Sequence, residues 1–196
     1  MTNVAIIFHS FTGHGTAMAQ RLAQAAEQAG ATVRLRPVAQ NIPEDTNPAA
    51  AANRDTLADL PNATGEDIEW ADVVLLGSPT RFSSVTHEFQ AFIDSLGGLW
   101  AQGKLANKVY AAFTSTQTLH GGQETTLQKI YQMVMHFGGI IVTPGYTDPL
   151  KFADGNPYGV SHVTGPENTD KLSEETLAAL DHMARRTVEI ADKLNS

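Results

Sequence analysis

The apolar positions of this chain fall into short continuous runs separated by stretches with a helical repeat. Val4-Ala5-Ile6-Ile7-Phe8, Val73-Val74-Leu75-Leu76, Val109 to Phe113 and Ile140-Ile141-Val142 are unbroken apolar runs of strand length. Such runs are the signature of strands covered on both faces, as in a parallel sheet. Thr32 to Leu35 alternates as one further short strand. Between the runs the period changes. Met18, Leu22, Ala25 and Ala29 recur at steps of four, three and four, one apolar helix face that stops at Gly30. Phe89, Phe92, Ile93 and Leu96 form a second face closed by Gly97-Gly98, and Leu127, Ile130, Val134 and Phe137 a third closed by Gly138-Gly139. Leu177, Leu180, Ala184, Val188 and Ala191 give a closing helix, and Ile68 to Ala71 a single helical turn. Residues 37–65 and 144–171 show no convincing period and read as long loops, longer than ordinary connections and therefore suited to lids or subunit contacts.

Strands that alternate with helices in this way imply right-handed crossovers and an α/β fold: a doubly wound, five-stranded parallel sheet with helices on both faces, formed as a single domain over residues 1–196. Ligands of such sheets bind outside the carboxyl ends of the strands, where the strand order reverses. Three polar loops, Ser10 to Thr16, Ser78 to Ser83 and Ser115 to Gly122, each follow a predicted strand and are expected to meet along that edge.

The first of these loops carries the clearest chemistry. The strand ending at Phe8 empties through Ser10-Phe11-Thr12-Gly13-His14-Gly15-Thr16 into a helix. The first N–H groups of a helix have no intrahelical partner and sit at the positive end of its dipole, which makes this segment a phosphate cradle. No Lys or Arg precedes Arg21, so a phosphate here is held by backbone N–H groups and the hydroxyls of Ser10, Thr12 and Thr16. The Gly-Lys-Ser/Thr ending of a nucleotide-triphosphate loop is absent. A plain strand-to-helix turn with a Ser or Thr cap remains the alternative for the loop taken alone.

Composition narrows the function classes. The 196 residues are 42% hydrophobic and 17% charged, with no apolar run near the roughly 20 residues that span a bilayer. The first segment lacks the basic lead and cleavage site of a signal peptide, so a cytoplasmic location is expected. The absence of Cys excludes disulfides, thiolate nucleophiles and Cys-based clusters, and the seven His show no metal-ligand spacing, so no metal is expected. A net charge of −8 with 13 scattered Lys and Arg argues against nucleic acid.

Five motifs, in order, carry a resemblance over nearly the whole chain: Ser10-Phe11-Thr12-Gly13-His14, Gly77-Ser78-Pro79-Thr80-Arg81-Phe82, Gly97-Gly98-Leu99-Trp100-Ala101, Ser115-Thr116 with Gly121-Gly122-Gln123-Glu124, and Gly155-Asn156-Pro157-Tyr158-Gly159. Together they resemble the flavodoxin-like NAD(P)H:quinone oxidoreductases of the WrbA type. The resemblance implies that Ser10, Phe11, Thr12, Gly13, His14, Gly15 and Thr16 wrap the phosphate of FMN. It implies that Pro79, Thr80, Arg81 and Phe82, with Ser115, Thr116, Gln117, Thr118, Leu119, His120 and Gly121, line the flavin ring. Arg81 would offset charge on reduced flavin, or is simply an exposed loop Arg. Trp100 would wall the quinone slot by stacking, or is an ordinary core Trp. His136 would approach the ring from a neighbouring subunit of a homotetramer, or is a helix C-terminal His favoured by the dipole.

Two departures from the family pattern stand out. Gln117 replaces a glycine of the ring loop, with Leu119 and His120 adding bulk beside it, and Phe11-Thr12 occupies a place where a Tyr is usual. FMN binding survives these changes better than substrate identity does. The implied reaction passes two electrons from NAD(P)H through FMN to a quinone, the two substrates using one site in turn, with no certain catalytic side chain. Two other readings stay open. One is a flavodoxin-like electron carrier or regulatory flavoprotein without quinone turnover. The other is an NADP-binding Rossmann enzyme, suggested by Gly13-His14-Gly15-Thr16-Ala17-Met18 and weakened by Met18 at the third glycine position.

Overall fold

A computed structural model describes residues 1–41, 47–169 and 171–196. Its centre is a parallel sheet. Strands β1 (Asn3–Phe8), β2 (Thr32–Pro37), β3 (Val73–Pro79), β4 (Val109–Thr116) and β5 (Ile140–Ile141) lie in the order β2-β1-β3-β4-β5. The order reverses between β1 and β3, because the chain steps outward to β2 and then crosses back over β1. That is the switch point at which a ligand of such a sheet is expected.

The continuous apolar runs are explained by the two layers of helix. Val4, Ile6 and Phe8 face one side with Val73, Leu75, Val109, Ala111 and Phe113. Helices α1 (His14–Gln28) and, at the end of the chain, α8 (Glu174–Leu194) cover that side through Met18, Leu22, Leu180, Met183 and Val188. Ala5 and Ile7 face the other way with Val74, Leu76, Tyr110 and Ala112. There they meet Phe89, Phe92 and Ile93 of α4 (His87–Ser95) and Leu127, Ile130 and Val134 of α6 (Gln123–Phe137). Each Val, Leu, Ile, Phe or Met among them contributes about 1.5–3 kcal/mol when taken out of water. The alternation of faces along a strand fixes the register across the whole sheet.

Three parts of the chain differ from the sequence expectation. The loop expected over 37–65 contains α2 (Pro48–Leu57) and α3 (Gly65–Trp70); residues 42–46 of it lie outside the described residues. Asn47 caps α2, its side-chain oxygen accepting from the N–H of Ala49 at 2.9 Å, and Pro48 takes the first helical position, where a missing N–H costs nothing. Gly97-Gly98 opens the short α5 (Gly97–Ala101) instead of simply ending a helix. The loop expected over 144–171 contains α7 (Leu150–Asp154) and a sixth strand, β6 (Val160–Val163).

The sixth strand is the second half of an interrupted edge. Ile140 and Ile141 pair with Val109 and Tyr110, whereas Val160 to Val163 pair with Phe113 to Thr116, farther along the same neighbour. Residues 142–159 leave the sheet between the two halves. Buried Lys151 anchors the return: its ammonium pairs with Asp154 and donates to the carbonyl of Gly159 at 3.2 Å. A Cβ at Gly159 would lie 2.3 Å from the carbonyl oxygen of Ala112, so only glycine fits where the chain rejoins β4.

Candidate functional site

The carboxyl ends of β1, β3 and β4 open into one cleft of about 430 Å³, within the range of roughly 300–1,000 Å³ typical of cofactor sites. Its walls are Ser10, Phe11, Thr12, His14 and Gly15 from the first loop, Pro79 to Phe82 from the second, and Ser115 to Thr118 with Gly121 from the third. The three loops therefore converge as their strands predict. Seven lining residues carry hydroxyls, and none of the described lining residues is a carboxylate, in a chain whose net charge is −8.

The first loop is held from behind. Gly13 takes a φ of 101°, the left-handed turn that lets β1 enter α1 directly. The Ser10 hydroxyl accepts the N–H of Thr16 at 3.1 Å, while the Thr16 hydroxyl donates to Asn53 Oδ1 at 2.6 Å. Asn53 on α2 returns a bond from Nδ2 to the carbonyl of Ser10 at 2.7 Å. Thr16 is thus buried structural support behind the cradle, and Gly13 shapes the loop without lining the cleft. Immediately before the loop, His9 is 2% exposed, and burial holds its imidazole below the ordinary range. The hydrogen bond to Gln40 at 2.8 Å and the charge of Glu88 oppose that shift.

The second loop is a tight reversal. Arg81 and Ser84 exchange both backbone bonds, at 2.8 and 3.0 Å. Phe82 and Ser83 between them have φ of 50° and 65°, a conformation that costs a non-glycine residue about 1–2 kcal/mol. The turn packs on the start of α6 so closely that a Cβ at Gly122 would meet the Ser83 hydroxyl at 2.2 Å. Strain of this kind persists where the surroundings enforce it and gathers at ligand sites. Here it lifts the Phe82 ring fully into solvent at the rim, beside an exposed Arg81 whose guanidinium donates to the carbonyl of Thr80 at 3.0 Å.

The third loop and the segment after β6 close the remaining side. The N–H of Thr80 donates to the carbonyl of Ser115 at 2.8 Å, tying the second loop to the third. The Gln117 side chain turns away from the cleft floor, its amide donating to the carbonyl of Pro166 at 2.6 Å. Leu119 and His120 do not reach the cleft; they line a separate open groove with Asn156, His162 and Lys171.

Trp100 and His136 are neighbours, the indole N–H donating to the carbonyl of His136 at 2.8 Å, but both lie far from the cleft of their own chain. Helix α6 starts just beyond β4 at the cleft edge; its 15 residues span about 22 Å and carry His136 in the last turn, at the opposite edge. Trp100 is 54% exposed, so the alternative of a core Trp is not what the fold shows. Four lining or supporting residues were not anticipated from the sequence: Asn47, Asn53, Thr164 and Asn168. The Asn-Pro pair at 47–48 was a readable helix start, and its helix brings Asn53 to the loop.

Comparison with known proteins agrees with this geometry. Residues 2–148 match the family described as NADPH-dependent FMN reductase. The chain belongs to that family. It is 49% identical over 195 residues to an NAD(P)H dehydrogenase (quinone) of Deinococcus radiodurans, covering 97% of this chain and 96% of the relative. It is 39% identical over 200 residues, all of both chains, to a protein of the same description from Bradyrhizobium sp.. Among solved structures it is similar to a flavodoxin, WrbA-like protein from Agrobacterium tumefaciens, with a TM-score of 0.69, 22% identity and coverage of 98% and 99%. The family resemblance drawn from the five motifs is thereby borne out, as is the flavodoxin-like fold. No helix of the described residues is long and apolar enough to cross a membrane.

Proposed function

We propose that this chain is an FMN-dependent NAD(P)H:quinone oxidoreductase. The observation that carries the reading is the cleft itself. A hydroxyl-rich space, with no carboxylate among its described lining residues, runs from the N-terminus of α1 to the paired second and third loops, which suits an anionic head at one end and a flat ring at the other. The full-length likeness to relatives described as quinone dehydrogenases supports the choice of substrates.

FMN, when bound, supplies the chemistry that accepts a hydride from NAD(P)H and passes electrons to a quinone. The chain's own residues bind and orient. Ser10, Thr12 and the first N–H groups of α1 take the phosphate, the loop itself offering no Lys or Arg. Thr80, Ser115, Thr116 and the backbone of both loops present donors along the ring, and Arg81 lies near enough the rim to balance negative charge. Phe82 offers an aromatic edge over the entrance to the slot. No acid–base pair is required, so positioning does most of the work.

Trp100 and His136 enter this scheme only through a second copy of the chain. Their exposure and their pairing at the edge opposite the cleft support a homo-oligomer, read here as a homotetramer, in which one subunit's α5–α6 corner covers another's ring site. A cytoplasmic location fits the same reading.

The test is a spectrum followed by turnover. Purified protein is expected to carry or take up FMN with absorbance near roughly 450 nm, and to oxidise NADH or NADPH only when benzoquinone is present. Failure to take up FMN overturns the proposal. Flavin binding without quinone-dependent turnover returns the chain to the electron-carrier reading.

A further inference from the structure

The segment that follows β6 does more than close the cleft. Asn168, in the left-handed region at φ 54°, reaches across it to the phosphate loop. Its amide nitrogen donates to the Thr12 hydroxyl at 2.9 Å, and its amide oxygen accepts from the Thr164 hydroxyl at 2.8 Å. Its backbone carbonyl lies 3.1 Å from His14 Nε2 and therefore accepts a hydrogen bond from that nitrogen, which carries the hydrogen. The same segment is fastened to the third loop, Thr164 N–H to the carbonyl of Thr116 at 2.8 Å and Gln117 to that of Pro166.

These bonds have a direction. With the Asn168 amide oxygen on the Thr164 hydroxyl, its NH2 faces Thr12. Thr12 then accepts a hydrogen bond from Asn168 on one lone pair, and its own O–H is left to point elsewhere. Thr12, Thr164 and Asn168 all line the cleft, so a ligand oxygen beside Thr12 meets a hydroxyl already turned to donate. Such a hydroxyl favours a pure acceptor, and a charged one most, because hydrogen bonds to ionised oxygens are about twice as strong as neutral ones.

We infer that Asn168 is a positioning residue for the phosphate of the flavin: its side-chain amide sets the Thr12 hydroxyl as a donor, beside a backbone carbonyl that accepts from His14 Nε2. The side chain acts through Thr12. This rests on the FMN reading above and deepens it, because a loop without Lys or Arg obtains selectivity for a phosphate from the polarity of a hydrogen-bond chain.

The experiment is a fluorescence titration of the flavin-free protein with FMN and, separately, with riboflavin. Asn168→Gly keeps the left-handed backbone without strain and removes the amide. It is expected to weaken FMN binding about five- to twentyfold and to leave riboflavin binding within about twofold, the fold-change of one weakened charge-assisted bond from Thr12 to the phosphate. Asn168→Asp, which can only accept, reverses the direction of the chain and adds a negative charge, and is expected to lose more than N168G. In a Thr12→Val background, N168G is expected to lose less FMN affinity than it does alone, because the Thr12 share of its effect is already gone.

Wild-type FMN affinity in N168G, or an equal loss of riboflavin, overturns the role of Asn168 while leaving the flavin reading intact. Wild-type protein that binds neither flavin overturns both. Circular dichroism of each variant separates a binding loss from a folding one.

Discussion

His9 stands one residue from the phosphate loop and illustrates how much one side chain can reveal about stability. Its imidazole is buried and held neutral, with the pKa below its usual 6.5 chiefly because burial penalises the charged form. In the unfolded chain His9 takes up a proton as the pH falls through about 6.5, where the folded chain does not. The unfolded state therefore binds more protons in the window below 6.5, so stability falls as the medium becomes more acid and is regained as the pH rises above it. One such group contributes a slope of at most about 1.4 kcal/mol per pH unit. Urea unfolding at pH 7.5 and 5.5 is expected to show this loss, and His9→Asn to flatten that portion of it. An unchanged slope in the variant would mean that His9 is charged in the fold.

At the level of elements, the sequence was most readable where one physical signal dominated. The continuous apolar runs of β1, β3 and β4 and the faces of α1, α6 and α8 announce themselves because both sides of the sheet are covered. Helix α2 did not, because Pro48-Ala49-Ala50-Ala51-Ala52 has high helix propensity but almost no apolar period; it buries little beyond Ala50 and Asn53. Strand β6 was hidden for the opposite reason. Its inward positions alternate as an apolar Val160 and a polar but buried His162, so the pattern of a core strand is broken by the residue type and not by the geometry. The three site loops could be placed from the strands they follow, whereas Thr164 and Asn168 could not, since their position depends on where β6 joins β4.

The interrupted edge also carries the clearest prediction at this scale. Lys151 is fully buried and paired with Asp154, whose carboxyl is pushed upward by burial and pulled back by the lysine. Asp154→Asn leaves the ammonium with neutral acceptors only, and removing one partner of a buried pair costs about 3–5 kcal/mol. A drop in thermal midpoint is the expected result. An unchanged midpoint would show that the lysine does not need its carboxylate.

Across the whole molecule, the cleft and the Trp100–His136 corner sit at opposite edges of one sheet, separated by the length of α6. A single copy of the chain cannot bring them together. Light scattering is expected to give a mass of four times 21.0 kDa in solution. A stable monomer would remove Trp100 and His136 from the ring site, and with them the wall proposed for the quinone.

Ile141 and Val160 pair with residues of β4 that are only three positions apart, although 18 residues separate them in the chain. The rest of the sheet takes its register from pairings that this detour does not touch. Its exposed portion can therefore change while Val142, Lys151 and Gly159 keep its ends seated on the core. A shorter version could reseal the edge into one strand, and a longer one could carry new surface to a neighbouring copy. The place where this fold can take an insertion is thus its interrupted edge, beside the loops that line the cleft.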